Sequence, residues 1–326
     1  MDKRTRVLAA MNGDPVDHVP VGFWFHFAGE EAKGDACVQA HLKYYRETDL
    51  DFLKIMSDGY FVFPIPEIKK VEDLAELEPL PKDHPYITEQ LERARAIVDA
   101  IGKERCVFYN VFAPFSSLRF ALAAQGYKDE QVTAFVKEDP LSVMKGLDAI
   151  ARTAAYLCEK LITESGVDGI YYPVQSAEET RFTIEEYWDW ISPSNLYVLE
   201  YANRYSDNNI LHCCGWAGNM NQLEVWQDYP SKVVNWAVHV EGMDLEEGRF
   251  FFDGRTALGG FETHWDSDHN DRGMIYHASK EDLQAYTRNM ILDFGKRGLM
   301  LGGDCTIDAT LPWERIKWIV EAARSL

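Results

Sequence analysis

The sequence predicts an α/β protein, a single (β/α)8 TIM barrel spanning residues 1–326. Three observations carry this expectation. Eight short apolar or β-branched runs punctuate the chain. Amphipathic stretches of helical periodicity separate most of them. No Pro/Gly/Ser-rich linker divides the chain in two. The competing arrangement is a doubly wound sheet split between two domains. The Gly-rich phosphate loops that often mark such sheets, GxGxxG and GxxxxGKS or GxxxxGKT, do not occur.

The candidate strands, in order, are 19–25, 52–56, 105–112, 169–174, 210–214, 233–239, 256–261 and 299–304. The helical stretches between them include 71–77, 87–101, 140–165, 184–205 and 281–296. A last helix, 312–323, carries Pro312 at its start and Ile316, Ile319 and Val320 at helical spacing. In a barrel the C-terminal strand ends face the active site. Those ends hold Asp58, Asn110, Gln175, His212, Cys214, His239, Glu262 and Cys305, a polar set rich in metal-ligand types.

Composition narrows the function classes. With 326 residues, 46% hydrophobic and 26% charged, the chain is ordinary globular protein, not a disordered, collagenous or disulfide-dense one. Lys and Arg number 33 against 53 Asp and Glu, a net charge of −20. Nucleic acid and anionic membranes would be repelled, so neither is expected as main partner. Six cysteines, two of them adjacent, are too few for a disulfide scaffold and suit a reducing compartment. The apolar run near Met1 is too short for a signal peptide. No apolar stretch approaches the roughly 20 residues that span a bilayer. A soluble, cytoplasmic protein is expected.

The strongest local signal is Leu211-His212-Cys213-Cys214-Gly215-Trp216. Residues two apart on a strand project to one face, so His212 and Cys214 can bind one soft-to-borderline ion. Cys213 then points the other way. Cys305, in Gly302-Gly303-Asp304-Cys305, is the third candidate. A His/Cys/Cys set leaves one position open, the pattern of a catalytic zinc rather than a closed structural one. The alternative is that the cysteines are buried small hydrophobes and His212 a satisfied core histidine. A second polar cluster, Glu262-Thr-His264-Trp-Asp266-Ser-Asp268-His269, is either a further divalent-metal site or a solvated loop at the barrel mouth.

These segments together resemble the uroporphyrinogen decarboxylase superfamily over nearly the whole chain. Arg4-Thr-Arg-Val-Leu-Ala-Ala-Met-Asn-Gly-Asp-Pro-Val-Asp-His-Val-Pro20 is similar to the family's opening helix and barrel entry. Lys54-Ile-Met-Ser-Asp58 resembles its strand ending in Ser-Asp, and Ala113-Pro114-Phe115-Ser116 its Gly-Ala-Pro-Phe-Thr segment. Val233-Val-Asn-Trp236, Leu258-Gly-Gly260 and Leu301-Gly-Gly-Asp-Cys305 look like its last three strands. The resemblance implies a (β/α)8 barrel, in agreement with the strand count.

Charge separates the branches of the superfamily. The decarboxylase holds a polycarboxylate with two arginines of an Arg-Gln-Ala-Gly-Arg motif. Here the matching stretch is His26-Phe27-Ala28-Gly29-Glu30, without either arginine, although Asp58 stands at the decarboxylase's key aspartate. Asn235 replaces the family's Asp, and 255–260 lacks its Gln-Gly-Asn-Leu-Asp-Pro pattern. The zinc-dependent methylcobamide:coenzyme M methyltransferases instead carry His-x-Cys on a middle strand and a Cys on the last, which His212, Cys214 and Cys305 match.

By this resemblance Zn2+ is the expected metal and a methylated corrinoid the methyl donor. A small thiol is the acceptor, and a corrinoid protein is the expected partner. Zinc holds the thiol as a thiolate, which takes the methyl group in line. Glu262 is a candidate fourth ligand; Asp58, Gln175 and His239 are candidate catalytic or substrate-binding groups. In the run Phe23-Trp24-Phe25-His26-Phe27, Trp24 and His26 are candidate pocket lining. Three alternatives remain: a decarboxylase acting on a tetrapyrrole through Asp58, a non-catalytic corrinoid- or metal-binding barrel, and a zinc alkyltransferase with a non-corrinoid donor. Cobalamin-independent methionine synthase has an arrangement related to the last.

Overall fold

A computed structural model describes residues 1–103, 105–215, 218–263 and 273–326. Among them, seven parallel strands form one sheet in chain order: β1 Phe52–Ile55, β2 Cys106–Asn110, β3 Gly169–Val174, β4 Ile210–Cys213, β5 Val233–Trp236, β6 Thr256–Phe261 and β7 Leu299–Gly303. The helices are α1 Lys3–Met11, α2 Gly34–Thr48, α3 Pro85–Ile101, α4 Pro114–Ala124, α5 Asp129–Glu138, α6 Pro140–Thr163, α7 Ile184–Trp190, α8 Ser192–Asn203, α9 Val238–Glu241, α10 Leu245–Phe251, α11 Met274–His277, α12 Lys280–Phe294 and α13 Trp313–Arg324. Parallel neighbours need crossovers, and helices supply them. None of these helices is long and apolar enough to cross a membrane.

The expected eighth strand is not present. Segment 19–25 makes only an isolated bridge, Val21 to Leu301. Its backbone is bonded on both sides all the same. Gly22 N–H donates to Leu301 C=O and Leu301 N–H to Pro20 C=O, each at 2.9 Å; Asp51 N–H donates to Val21 C=O at 2.9 Å. The segment therefore links β7 to the residue before β1, and the sheet with this link is consistent with a TIM barrel. A ladder cannot extend there for three reasons. Pro20 has no N–H. The Val21 N–H is taken by the Asp51 carboxylate at 2.9 Å. The Trp24 C=O accepts from Ile307 N–H, beyond β7.

Strand alternation sorts the core into two layers. Phe52, Met56, Phe108, Tyr171, Ile210 and Leu258 point inward and pack with Trp24 and with Val7, Ala10 and Met11 of α1. Leu53, Ile55, Val107, Tyr109, Tyr172 and Leu211 point outward beneath the helices. Helix α1 thus closes the floor of the sheet, and the Thr256 hydroxyl donates to Ala10 C=O at 2.9 Å. Arg6 fastens it, bonded to Asp17 at 2.7 Å and to the fully buried Asp51 at 2.9 Å.

Other expected elements shift at local signals. The stretch 184–205 is two helices, because Pro193 cannot continue α7 and instead begins α8. The stretch 71–77 is a short 3-10 turn, Val71–Glu76. The strand expected at 233–239 stops at Trp236, so His239 stands on the single turn α9 and not at a strand end.

Candidate metal centre

His212 lies on β4, and Cys214 follows one residue past its end; both are buried. Between them Cys213 packs in the outer layer, where burial raises its thiol pKa and keeps it protonated. Cys305 comes from the turn after β7, its N–H donating to the Thr263 hydroxyl at 2.9 Å. Strands β4 and β7 thus bring three sequence-distant ligand types together. One ligand atom from each of His212, Cys214 and Cys305 lies within 4.8 Å of the others.

The separation of the sulfurs decides what this triad suits. A disulfide would bring them to about 2.05 Å; the cysteines form none. Two thiolates on one tetrahedral zinc, each at about 2.3 Å, stand about 3.8 Å apart. The Cys214 and Cys305 sulfurs are 3.8 Å apart. His212 Nδ1 is buried and has no hydrogen-bond partner among the described residues. A buried imidazole with an unpartnered nitrogen, grouped with two thiols, suits a bound cation. The three donors therefore fit zinc.

Around the triad a polar shell sets its orientation. Gln175 Nε2 donates to Cys214 Sγ at 3.4 Å. Its Oε1 accepts from Arg119 at 3.3 Å, and Arg119 is held by Asp129 at 2.7 Å. Arg181 bonds the same carboxylate. Ser176, directly after Gln175, is buried in the left-handed region at φ 72°, a conformation costly for a residue with a Cβ. The strained turn aims Gln175 at the sulfur.

The other expected residues are divided. Asp58 is buried at the mouth, its two oxygens bonded to His26 Nδ1 at 2.8 Å and to Phe27 N–H at 2.7 Å. His26 is half exposed. Trp24 turns inward against Tyr171, ring centroids 5.0 Å apart, while Phe23, Phe25 and Phe27 join the outer core. The aromatic run therefore lines the interior with alternate members only. His239 pairs through Nδ1 with Asp304, 2.8 Å away and fully buried. Burial opposes its charge, but Asp304 and then Glu262 outweigh burial and raise its pKa. Glu262, half-buried after β6, lies outside the three-ligand group. Residues 264–269 of the second polar cluster lie outside the described residues.

Two residues of the site escape a reading by strand ends. Asp304 is hidden by its neighbour Cys305. Lys54 is only 5% exposed, although its place between Phe52 and Met56 marks it as inward-facing.

A curled parallel α/β sheet with two thiols and an imidazole at its mouth defines a barrel-like fold with a metal-ready centre. More particularly, the chain belongs to the uroporphyrinogen decarboxylase family, whose model matches residues 53–326. A methyltransferase from Methanosarcina mazei has the same fold. It is 15% identical, with a TM-score of 0.73 over 100% of this chain and 98% of that one. A B12-independent methionine synthase from Shewanella sp. W3-18-1 is 14% identical, with a TM-score of 0.54 over 95% and 94%. No curated protein matches the sequence.

Proposed function

We propose that the chain is a zinc-dependent methyltransferase that moves a methyl group from a methylated corrinoid to a small thiol. The observation that carries this reading is the 3.8 Å Cys214–Cys305 pair grouped within 4.8 Å with a ring nitrogen of His212. These three residues would hold zinc and leave one position open. When bound, zinc would draw the proton from an incoming thiol and keep it nucleophilic at neutral pH. Gln175 orients Cys214 through its amide, and the Arg119–Asp129 pair fixes Gln175. Asp58, with His26, stands at the mouth as a proton acceptor or substrate contact.

The donor would dock above the mouth as a corrinoid carried by a corrinoid protein. The corrinoid would supply the methyl group to sulfur and keep the electron pair of the cobalt–carbon bond. A reducing cytoplasm, where free thiols persist, suits such a site. One observation favours a second reading. The family's aspartate is retained as a buried carboxylate, Asp58, at this same mouth. That supports decarboxylation of a tetrapyrrole with no need of the cysteines.

Metal analysis separates the two. Protein purified without added zinc is expected to hold about one zinc per chain, and a Cys214→Ala/Cys305→Ala variant little. Methylcobalamin should then lose its methyl group to a thiol only with the zinc-bearing protein. No zinc, and none taken up on addition, sinks the methyltransferase reading and leaves Asp58 as the centre of the chemistry.

A further inference from the structure

Lys54 is a buried cation that the metal reading leaves without a task. It is the third residue of β1, turned inward between Phe52 and Met56. Among the described residues, nothing gives its ammonium a hydrogen bond or an ion pair. Its nitrogen instead stands 3.6 Å from the centre of the Tyr171 ring and 4.7 Å from that of Trp24. Two ring faces offset only part of the cost of desolvating an ammonium. A buried charge is ordinarily paired, so the ammonium favours an anion near it.

The surroundings identify where that anion would be. The Tyr171 ring that carries the ammonium also packs 5.3 Å from the ring of His212. Burial lowers the Lys54 pKa to about 7, while Cys305, Cys214 and Asp58 pull against it. The zinc reading supplies the remaining arithmetic. A divalent ion held by two thiolates and an imidazole is formally neutral and calls for no counter-charge. A thiolate added at the open position makes the complex an anion.

We infer that Lys54 is the counter-charge of that thiolate-bound state, the residue that lets the acceptor bind as an anion inside an apolar sheet. It acts through the field and not by contact, so it is a positioning residue. The inference rests on the zinc reading above and adds to it the residue that sets acceptor affinity.

Cobalt(II) is a spectroscopic stand-in for zinc, and its sulfur-to-metal charge-transfer band reports thiolate binding without any turnover. Wild type, Lys54→Met and Lys54→Arg would be loaded with cobalt and titrated with 2-mercaptoethanol, with thermal melts alongside. All three should take up the metal. Lys54→Met should bind the thiol about tenfold more weakly, and Lys54→Arg should recover most of the loss. Lys54→Met should melt no lower than wild type, because a desolvated charge has been removed. Lys54→Gln carries the same test if the methionine variant fails to fold. Equal thiol affinity in a fully loaded Lys54→Met, or an arginine variant as weak as the methionine one, overturns the inference. A wild-type protein that takes up no cobalt overturns the metal reading instead, a different and separately visible result.

Discussion

At the residue scale, the proposed centre would depend on the side chains that hold its ligands. Gln175 is one: its amide N–H donates to Cys214 Sγ at 3.4 Å. Gln175→Ala should lower zinc affinity about 10- to 100-fold, measured by competition with a chromophoric chelator, while the fold persists. His41 is another kind of dependence. Its Nε2 accepts from Met56 N–H and its Nδ1 donates to Cys37 C=O, so the ring must stay neutral. Burial depresses its pKa to about 4. The unfolded chain then binds more protons between that value and about 6.5, so stability falls as pH drops through this window. The loss attributable to His41 is roughly 3 kcal/mol between pH 7 and 4. Urea titrations across this range should show a shallower slope for His41→Gln. The His-x-Cys pair and Cys305 were legible in sequence because strand alternation and strand-end logic are strong. Lys54 was not, because attention to strand ends passes over residues one turn of the pleat below them.

At the element scale, seven of eight strands were legible from apolar runs alone. The missing one shows why such runs mislead. Segment 19–25 is as apolar as a strand and bonds Leu301 and Asp51 at its centre, yet its Val21 N–H goes to a carboxylate and its Trp24 C=O to Ile307. Sequence shows hydrophobicity but not who takes each N–H. The same segment makes a prediction. A Cβ added at Gly22 would come within 2.1 Å of the Phe52 ring, which is fully buried. Gly22→Ala should cost about 1–3 kcal/mol in a denaturant titration, through overpacking where β7 and β1 are linked. A variant as stable as wild type would show that the link is loose. His239 makes the opposite point about boundaries. The strand reading placed it at an end, but a turn of helix carries it to Asp304.

At the scale of the whole molecule, the charge of −20 acts on everything. Like charges on a compact chain repel, and salt screens them. Raising ionic strength from about 0.01 to 0.15 M shortens the Debye length from about 30 to 8 Å. The melting temperature should therefore rise across that range, as calorimetry would show. A flat or falling curve would mean that local ion pairs such as Arg6–Asp51 outweigh the overall repulsion.

The floor of the sheet has a consequence for how the chain is made. Helix α1 and segment 20–22 leave the ribosome long before their partners, which include Thr256 and Leu301. Until β7 emerges, a nascent chain holds α1 and segment 20–22 without all of their partners and exposes both edges of a growing parallel sheet. Synthesis thus has a long vulnerable interval that lasts until residues 299–303 of β7 are made. Chains that stop short of Leu301 should be chaperone clients rather than smaller versions of the same fold.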